Sequence, residues 1–322
     1  MDTFDAVDTV VVDARIERIL DAAGRAPSVH NTQPWNVDVK GNRLLIRADA
    51  ARQLHQADPQ GREMYISCGA FVFNAATAAR RESLTARTVV LPDPADERLV
   101  AELELSAGAR PTMDELGLSV AIQRRTTSRV PFDDRPVAPD VLRAIRAAAS
   151  TEGGELRFIH PSDPARSEVL ELVRRAERQA GADAEMRAEE AAWTATDDTR
   201  RDGIPHELLG PAPNDDRAPV RRFRHSSGHA QFEQRSTMAV LATPGDTVRD
   251  WIGAGIALEH LLLVATGYFV HASFATTALE NPVTRDGLRA ALSLEAAPQM
   301  LMRFGYCPRP RRAPRRPTTD LT

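Results

Sequence analysis

Two prolines, Pro27 and Pro34, bracket a stretch that no regular element can absorb: Ala26-Pro27-Ser28-Val29-His30-Asn31-Thr32-Gln33-Pro34-Trp35. Proline lacks a backbone N–H and restricts the residue before it, so this stretch must be a loop. It is nonetheless rich in groups that bind things. Ser28, His30, Asn31, Thr32 and Gln33 offer donors and acceptors, and Trp35 offers a flat apolar face. A helical pattern enters it, with Asp13 as cap and Ile16, Ile19, Leu20 and Ala23 on one stripe. A hairpin pattern leaves it over residues 37–46, turning at Gly41-Asn42. A stiff polar loop between regular elements suits recognition of a planar polar ligand; an ordinary helix-to-strand connection is the alternative.

Downstream, a turn at Asp58-Pro59-Gln60-Gly61 opens a helix with Met64, Cys68, Phe71, Val72, Ala75, Ala76 and Ala79 on one face. Strands are expected at residues 86–91 and 99–105, and a short helix at 113–124. A helix over 139–149, a strand over 156–160 and a charged helix from Ser162 follow. From about Gly181 to Glu233 the chain becomes rich in charge, proline and glycine. Such an insert is either disordered or a flap, and the anchors Trp193, Ile204, Leu208 and Leu209 favour a flap. Order resumes with a buried strand at 238–241 and a central helix at 251–268, apolar on nearly every face. A strand at 270–275, a helix at 285–292 and a final strand at 300–305 complete the pattern.

The order helix, loop, hairpin, apolar helix, strand occurs twice in outline. Gly69 is followed ten residues later by Ala79, and Gly255 by Ala265. The simplest reading is an α+β chain of two tandem αβ units, with a lid inserted in the second. Two such copies can pack as an isologous dimer does. The expected divisions are 1–120, 121–310 with the lid at about 181–233, and a basic proline-rich tail at 311–322.

Composition narrows the function classes. A net charge of −4 disfavours a nucleic-acid or anionic-membrane partner. Cys68 and Cys307 make no disulfide framework and read as core residues. Residues 1–13 are acidic and do not read as a secretion leader, and the apolar run at 256–264 is too short to span a bilayer. The expectation is a cytoplasmic protein, either a monomer or a weak homo-oligomer. Gly253 and Gly255 lack the third glycine of a dinucleotide fingerprint, since Leu258 stands there. His225 and His229 have no evident third ligand, so no metal is expected. Glu259 and His260 read as paired structural groups on the buried helix rather than as catalysts.

A second polar cluster lies mid-chain. Arg125, Thr127 and Arg129 alternate, and in an extended segment they point to one side. Two guanidinium groups and a hydroxyl suit a phosphate; a solvated basic turn is the alternative.

These two clusters carry a resemblance. Pro27, Ser28, Asn31, Gln33, Pro34 and Trp35 form a pattern similar to the flavin-facing loop of the nitroreductase family, and Arg125-x-Thr127-x-Arg129 resembles its phosphate element, with threonine for serine. The order of the two elements resembles the Acg family, in which one chain holds two nitroreductase-like halves. The segment Pro298-Gln299-Met300-Leu301-Met302-Arg303-Phe304-Gly305-Tyr306 also fits, so the resemblance spans nearly the whole chain. It implies a nitroreductase-like fold with a pseudo-dimeric core and one FMN per chain. Pro27, Ser28, Asn31 and Gln33 would belong to the ring side, and Arg125, Thr127, Arg129 and Arg309 to the phosphate side. Thr276 matches the segment that presents an N–H to the flavin. The flavin would do the redox chemistry, so no catalytic side chain is named. Two functions remain open. One is an oxidoreductase passing electrons, with NAD(P)H as candidate donor, to a nitro, quinone or similar small acceptor. The other is an FMN-storage protein whose lid blocks turnover. In either case Arg309 is the tail residue assigned to the phosphate, the rest of the tail being a solvated end.

Overall fold

The computed structural model describes residues 14–194, 199–215, 217–307 and 311–322. Helix α1 (residues 14–23) buries Ile16, Ile19, Leu20 and Ala23, the stripe its spacing defines. After the proline-bracketed loop, β1 (Trp35–Lys40) and β2 (Arg43–Ala48) pair antiparallel, with Gly41 at φ +62° in the turn between them. Helix α2 (Arg62–Arg81) leads to β3 (Leu84–Val90) and β4 (Leu99–Ala107). Helix α3 (Met113–Arg124) starts at a reciprocal cap between Thr112 and Glu115.

Helix α4 (Pro139–Thr151) precedes β5 (Glu155–Ile159). Helices α5 (Arg166–Ala182) and α6 (Ala184–Thr194) and the short strands β6 (Ala212–Pro213) and β7 (His229–Ala230) follow. Then come β8 (Thr237–Thr243), α7 (Val248–Gly267), β9 (His271–Phe274), α8 (Thr277–Glu280), α9 (Pro282–Ala291) and β10 (Ala297–Gly305). One sheet has the order β1-β2-β4-β3 and the other β5-β8-β10-β9. All neighbours in both are antiparallel. Taken in chain order, both sheets therefore run first, second, fourth, third, with an apolar helix between the second and third strands.

Those helices, α2 and α7, cross at backbone contact. A Cβ on Gly69 would stand 2.1 Å from the Ile252 carbonyl oxygen, and one on Gly255 would stand 2.0 Å from that of Ile66. The contact is reciprocal, each glycine meeting the residue three before the other. Because α2 is packed against α7, α3 and the first sheet, it is buried on nearly every face rather than on the single face its pattern suggested. Trp35 likewise belongs to the core: it is fully buried against Phe71, with ring centroids 5.0 Å apart. Its face is not offered to a ligand.

The insert is ordered where it is described. Ile204, Leu209 and Phe223 form one buried cluster with Leu208 beside it, and Ala218, Val220 and Phe232 form another. Trp193 is only half-buried, with Arg200 over its ring. Glu233 closes the insert by pairing at 2.5 Å with Arg303 of β10, a fully buried guanidinium stacked on Phe132 and Phe232.

One expectation is corrected. Residues 311–322 are not a solvated end: Leu321 is buried and its carbonyl accepts from the Val37 N–H, while Arg315 and Arg316 reach the proline-bracketed loop. Arg309 lies outside the described residues. Glu259 and His260, expected to be paired structural groups, each find a partner elsewhere in the chain. His260 meets Glu152 at 3.0 Å and stacks on Phe73, whereas Glu259 meets Arg125 at 3.4 Å. Among the described residues no helix is long and apolar enough to cross a membrane.

Candidate functional site

The proline-bracketed loop is held in a costly conformation. His30, Asn31 and Gln33 have φ of 45°, 58° and 51°. The left-handed region costs a non-glycine residue roughly 1 kcal/mol or more, so the surroundings must impose it. They do so from two sides. From the insert, the Gly203 carbonyl accepts from Asn31 Nδ2 at 2.8 Å and the Arg201 carbonyl from Gln33 Nε2 at 2.8 Å. From the tail, Arg315 donates to Asn31 Oδ1 at 2.8 Å, and the Arg316 N–H donates to Gln33 Oε1 at 2.8 Å. The Arg316 guanidinium also donates to the carbonyls of Gln33 and Trp35 at 3.1 and 3.0 Å. Arg316→Ala is therefore expected to lower folding stability by about 2 kcal/mol, the scale of charge-assisted hydrogen bonds. A denaturant midpoint unchanged by the substitution would show that the tail rests on the loop without holding it.

Opposite the loop, the segment after α3 runs extended beside β9. Thr127 bridges to Ala272, and the Ser128 N–H donates to the Ala272 carbonyl at 2.9 Å. The whole run from Arg125 to Val130, not only the alternate Arg125, Thr127 and Arg129, borders one cavity of 540 Å³, which Pro27, Ser28 and Asn31 line from the other side. A second, narrower cavity shares Pro27, Ser28, Thr127 and Arg129 with the first and adds Thr276. Its roof is the insert, through Ile204, Val220, Arg221 and Phe223. Gln33 lines neither cavity; its amide is spent on the insert and the tail.

The site is electrostatically unbalanced. Arg125 has a counter-charge in Glu259, whose carboxyl is pushed up to about 7 by burial, with Arg125 pulling the other way. Arg129 has no carboxylate partner among the described residues; it donates to the Leu208 carbonyl at 3.4 Å and lies over the Phe223 ring. Burial, and then the Arg221 charge, push its guanidinium down to about 10. Burial and the neighbouring Arg125 push Arg315 down to about 9. Thr126 Oγ1 is buried without a hydrogen-bond partner among the described residues, and Ser128 Oγ has only the Cys307 thiol beside it. A crowd of guanidinium groups and unspent hydroxyls is a site for an anion.

The sequence reading missed several of these groups. Arg315 and Cys307 line the larger cavity, and Arg221 and Phe223 the narrower one. None lies in a periodic segment, so hydrophobic pattern carried no signal for them; the arginine-rich tail was the one hint available.

Residues 122–306 match the model of the nitroreductase family. A Mycobacterium tuberculosis protein, acg, named as an NAD(P)H nitroreductase, is 28% identical over 98% of this chain and 97% of its own length. A second protein of the same organism, with the same descriptive name, is 30% identical over 94% of this chain and 88% of its own. Among solved structures, the FMN-dependent nitroreductase NfnB of Mycobacterium smegmatis in complex with NADPH aligns with a TM-score of 0.41 at 19% identity, covering 64% of this chain and 97% of that one. A Bacteroides fragilis nitroreductase with bound FMN aligns with a TM-score of 0.37 at 14% identity, covering 59% and 88%.

Proposed function

The chain belongs to the nitroreductase family, and on that premise we propose that it binds one FMN between its two sheets and passes electrons to a small nitro, quinone or similar acceptor. The observation that carries this reading is the shared wall of the two cavities, where Pro27 and Ser28 of the loop meet Thr127 and Arg129 of the phosphate element. Arg125 and Arg129 would hold the phosphate with the Thr127 hydroxyl, as paired guanidinium forks suit a dianion. Pro27, Ser28 and Asn31 would line the ring and ribityl chain, and Thr276 the inner end of the ring slot. FMN, when bound, supplies two-electron chemistry. This chain's residues grip the anion, fix the loop and shut out water. The relatives' names bring NAD(P)H in as the electron donor.

The matching strand orders and the reciprocal Gly69–Gly255 contact support reading residues 1–120 and 121–310 as two copies of one unit. The roof supports the storage alternative. The slot is narrow under Ile204, Val220, Arg221 and Phe223, so a tricyclic ring requires the roof to lift. Deleting the whole insert would strand the buried Arg303 without Glu233, so a single substitution is the better probe.

The test is an absorption spectrum of the purified chain before and after NADPH. A yellow protein that NADPH bleaches, faster by several-fold in Phe223→Ala, is expected. A colourless chain that takes up no added FMN would contradict the proposal, and a yellow one that neither form bleaches would select storage.

A further inference from the structure

A third cavity, of 580 Å³, lies beneath α6 on the other side of His30. Glu177 and Ala180 of α5, Met186 and Glu190 of α6, and Thr277 of α8 line it. Backbone hydrogen bonds fix these walls. Glu189 accepts from the N–H groups of Gln56 and Ala57 at 3.1 and 2.9 Å. Glu190 accepts from the Arg224 N–H at 3.1 Å, and Glu177 from the Arg222 N–H at 2.9 Å. His30 and Arg221 line both this chamber and the narrow slot under the insert, so these two side chains form the wall between them.

That wall carries unspent polar atoms. His30 is 6% exposed, and neither ring nitrogen has a hydrogen-bond partner among the described residues. Arg221 is held at one end by Glu280, while its Nε is also without a partner among them. Buried donors left unpaired are costly and call for a ligand atom. Burial, then the Arg221 and Arg129 charges, lower the His30 pKa well below its ordinary value, so the ring stays neutral and offers one N–H and one lone pair.

We propose that this chamber is a second small-molecule site beside the flavin slot, which takes an oxygen-bearing aromatic ligand, with His30 and Arg221 as its selective wall. The proposal rests on the flavin reading given above. The donors at the wall suit nitro or carboxylate oxygens, and the small apolar surfaces of Ala57, Ala180 and Met186 suit a single ring.

Calorimetric titration with 4-nitrobenzoate, on the flavin-free and the FMN-loaded chain, tests it. One molecule per chain is expected in both forms. His30→Asn, which tolerates the left-handed backbone, should weaken binding at least tenfold. Ala180→Trp, which fills the chamber, should abolish binding and leave FMN affinity unchanged. No binding to the native chain, displacement by FMN, or native-like binding to Ala180→Trp would overturn the proposal. Failure of the flavin reading shows itself separately, as absent FMN uptake in a chain that still binds 4-nitrobenzoate.

Discussion

Gly255→Ala is expected to destabilise the chain by at least about 3 kcal/mol, while Gly253→Ala on the same helix is expected to stabilise it slightly. The added methyl is the same and the surroundings differ. At Gly255 the new Cβ would lie 2.0 Å from the Ile66 carbonyl oxygen and 2.9 Å from the Ala70 nitrogen, both backbone atoms of α2. Neither can swing aside as a side chain can, so the helices must part along their length. Overpacking typically costs about 1–3 kcal/mol where side chains can yield, and more where they cannot. At Gly253 no atom lies within 4 Å of the new methyl, and alanine is favoured over glycine in a helix by roughly 0.8–1 kcal/mol. Gly69→Ala should behave like Gly255→Ala, since its Cβ would meet the Ile252 carbonyl at 2.1 Å. Denaturant midpoints measure all three. Native-like stability of Gly255→Ala would mean that α2 and α7 do not touch through their backbones.

The second large effect is on ligand binding, and there the two arginines of the phosphate element should separate. Arg129→Ala is expected to weaken FMN binding by roughly 10- to 200-fold, since a hydrogen bond to a charged group is worth about 1.5–3 kcal/mol. It should not lower folding stability, because Arg129 is a buried charge with no carboxylate partner among the described residues. Arg125→Ala should weaken FMN binding on a similar scale and also destabilise the chain. Its removal leaves Glu259, fully buried on α7, without the guanidinium that faces it at 3.4 Å. Breaking a buried pair from one side costs about 3–5 kcal/mol. Equilibrium dialysis and denaturant titration together read this split. A double variant that stays yellow through dialysis would show that the anion is held elsewhere.

Much of this was legible in the sequence, for identifiable reasons. The stripe of α1, the Gly41-Asn42 hairpin and the apolar run of α7 are local patterns, and they appear as elements close to where the spacing put them. Arg125, Thr127 and Arg129 were readable as a cluster of anion-binding groups, and they share a cavity with Pro27, Ser28 and Asn31; the one-sidedness expected of an extended segment is not what the cavity shows, since Thr126 and Ser128 border it too. What was not readable depends on tertiary contact. Arg303 sits in a strand that reads as apolar, and only Glu233 across the fold explains its burial. Arg315 and Arg316 belong to a segment with the composition of a solvated tail, yet they are fixed by backbone carbonyls of a loop nearly three hundred residues earlier. Glu259 finds Arg125 and His260 finds Glu152, partners far apart in the chain that no spacing pattern could name.

The most direct measurement is a titration of the flavin-free chain with FMN and, separately, with riboflavin, which shares the ring and lacks the phosphate. Saturation at one FMN per chain, with riboflavin bound at least about a hundredfold more weakly, is the result a phosphate grip by Arg125 and Arg129 requires. Equal affinity for the two, or uptake of neither, would contradict it.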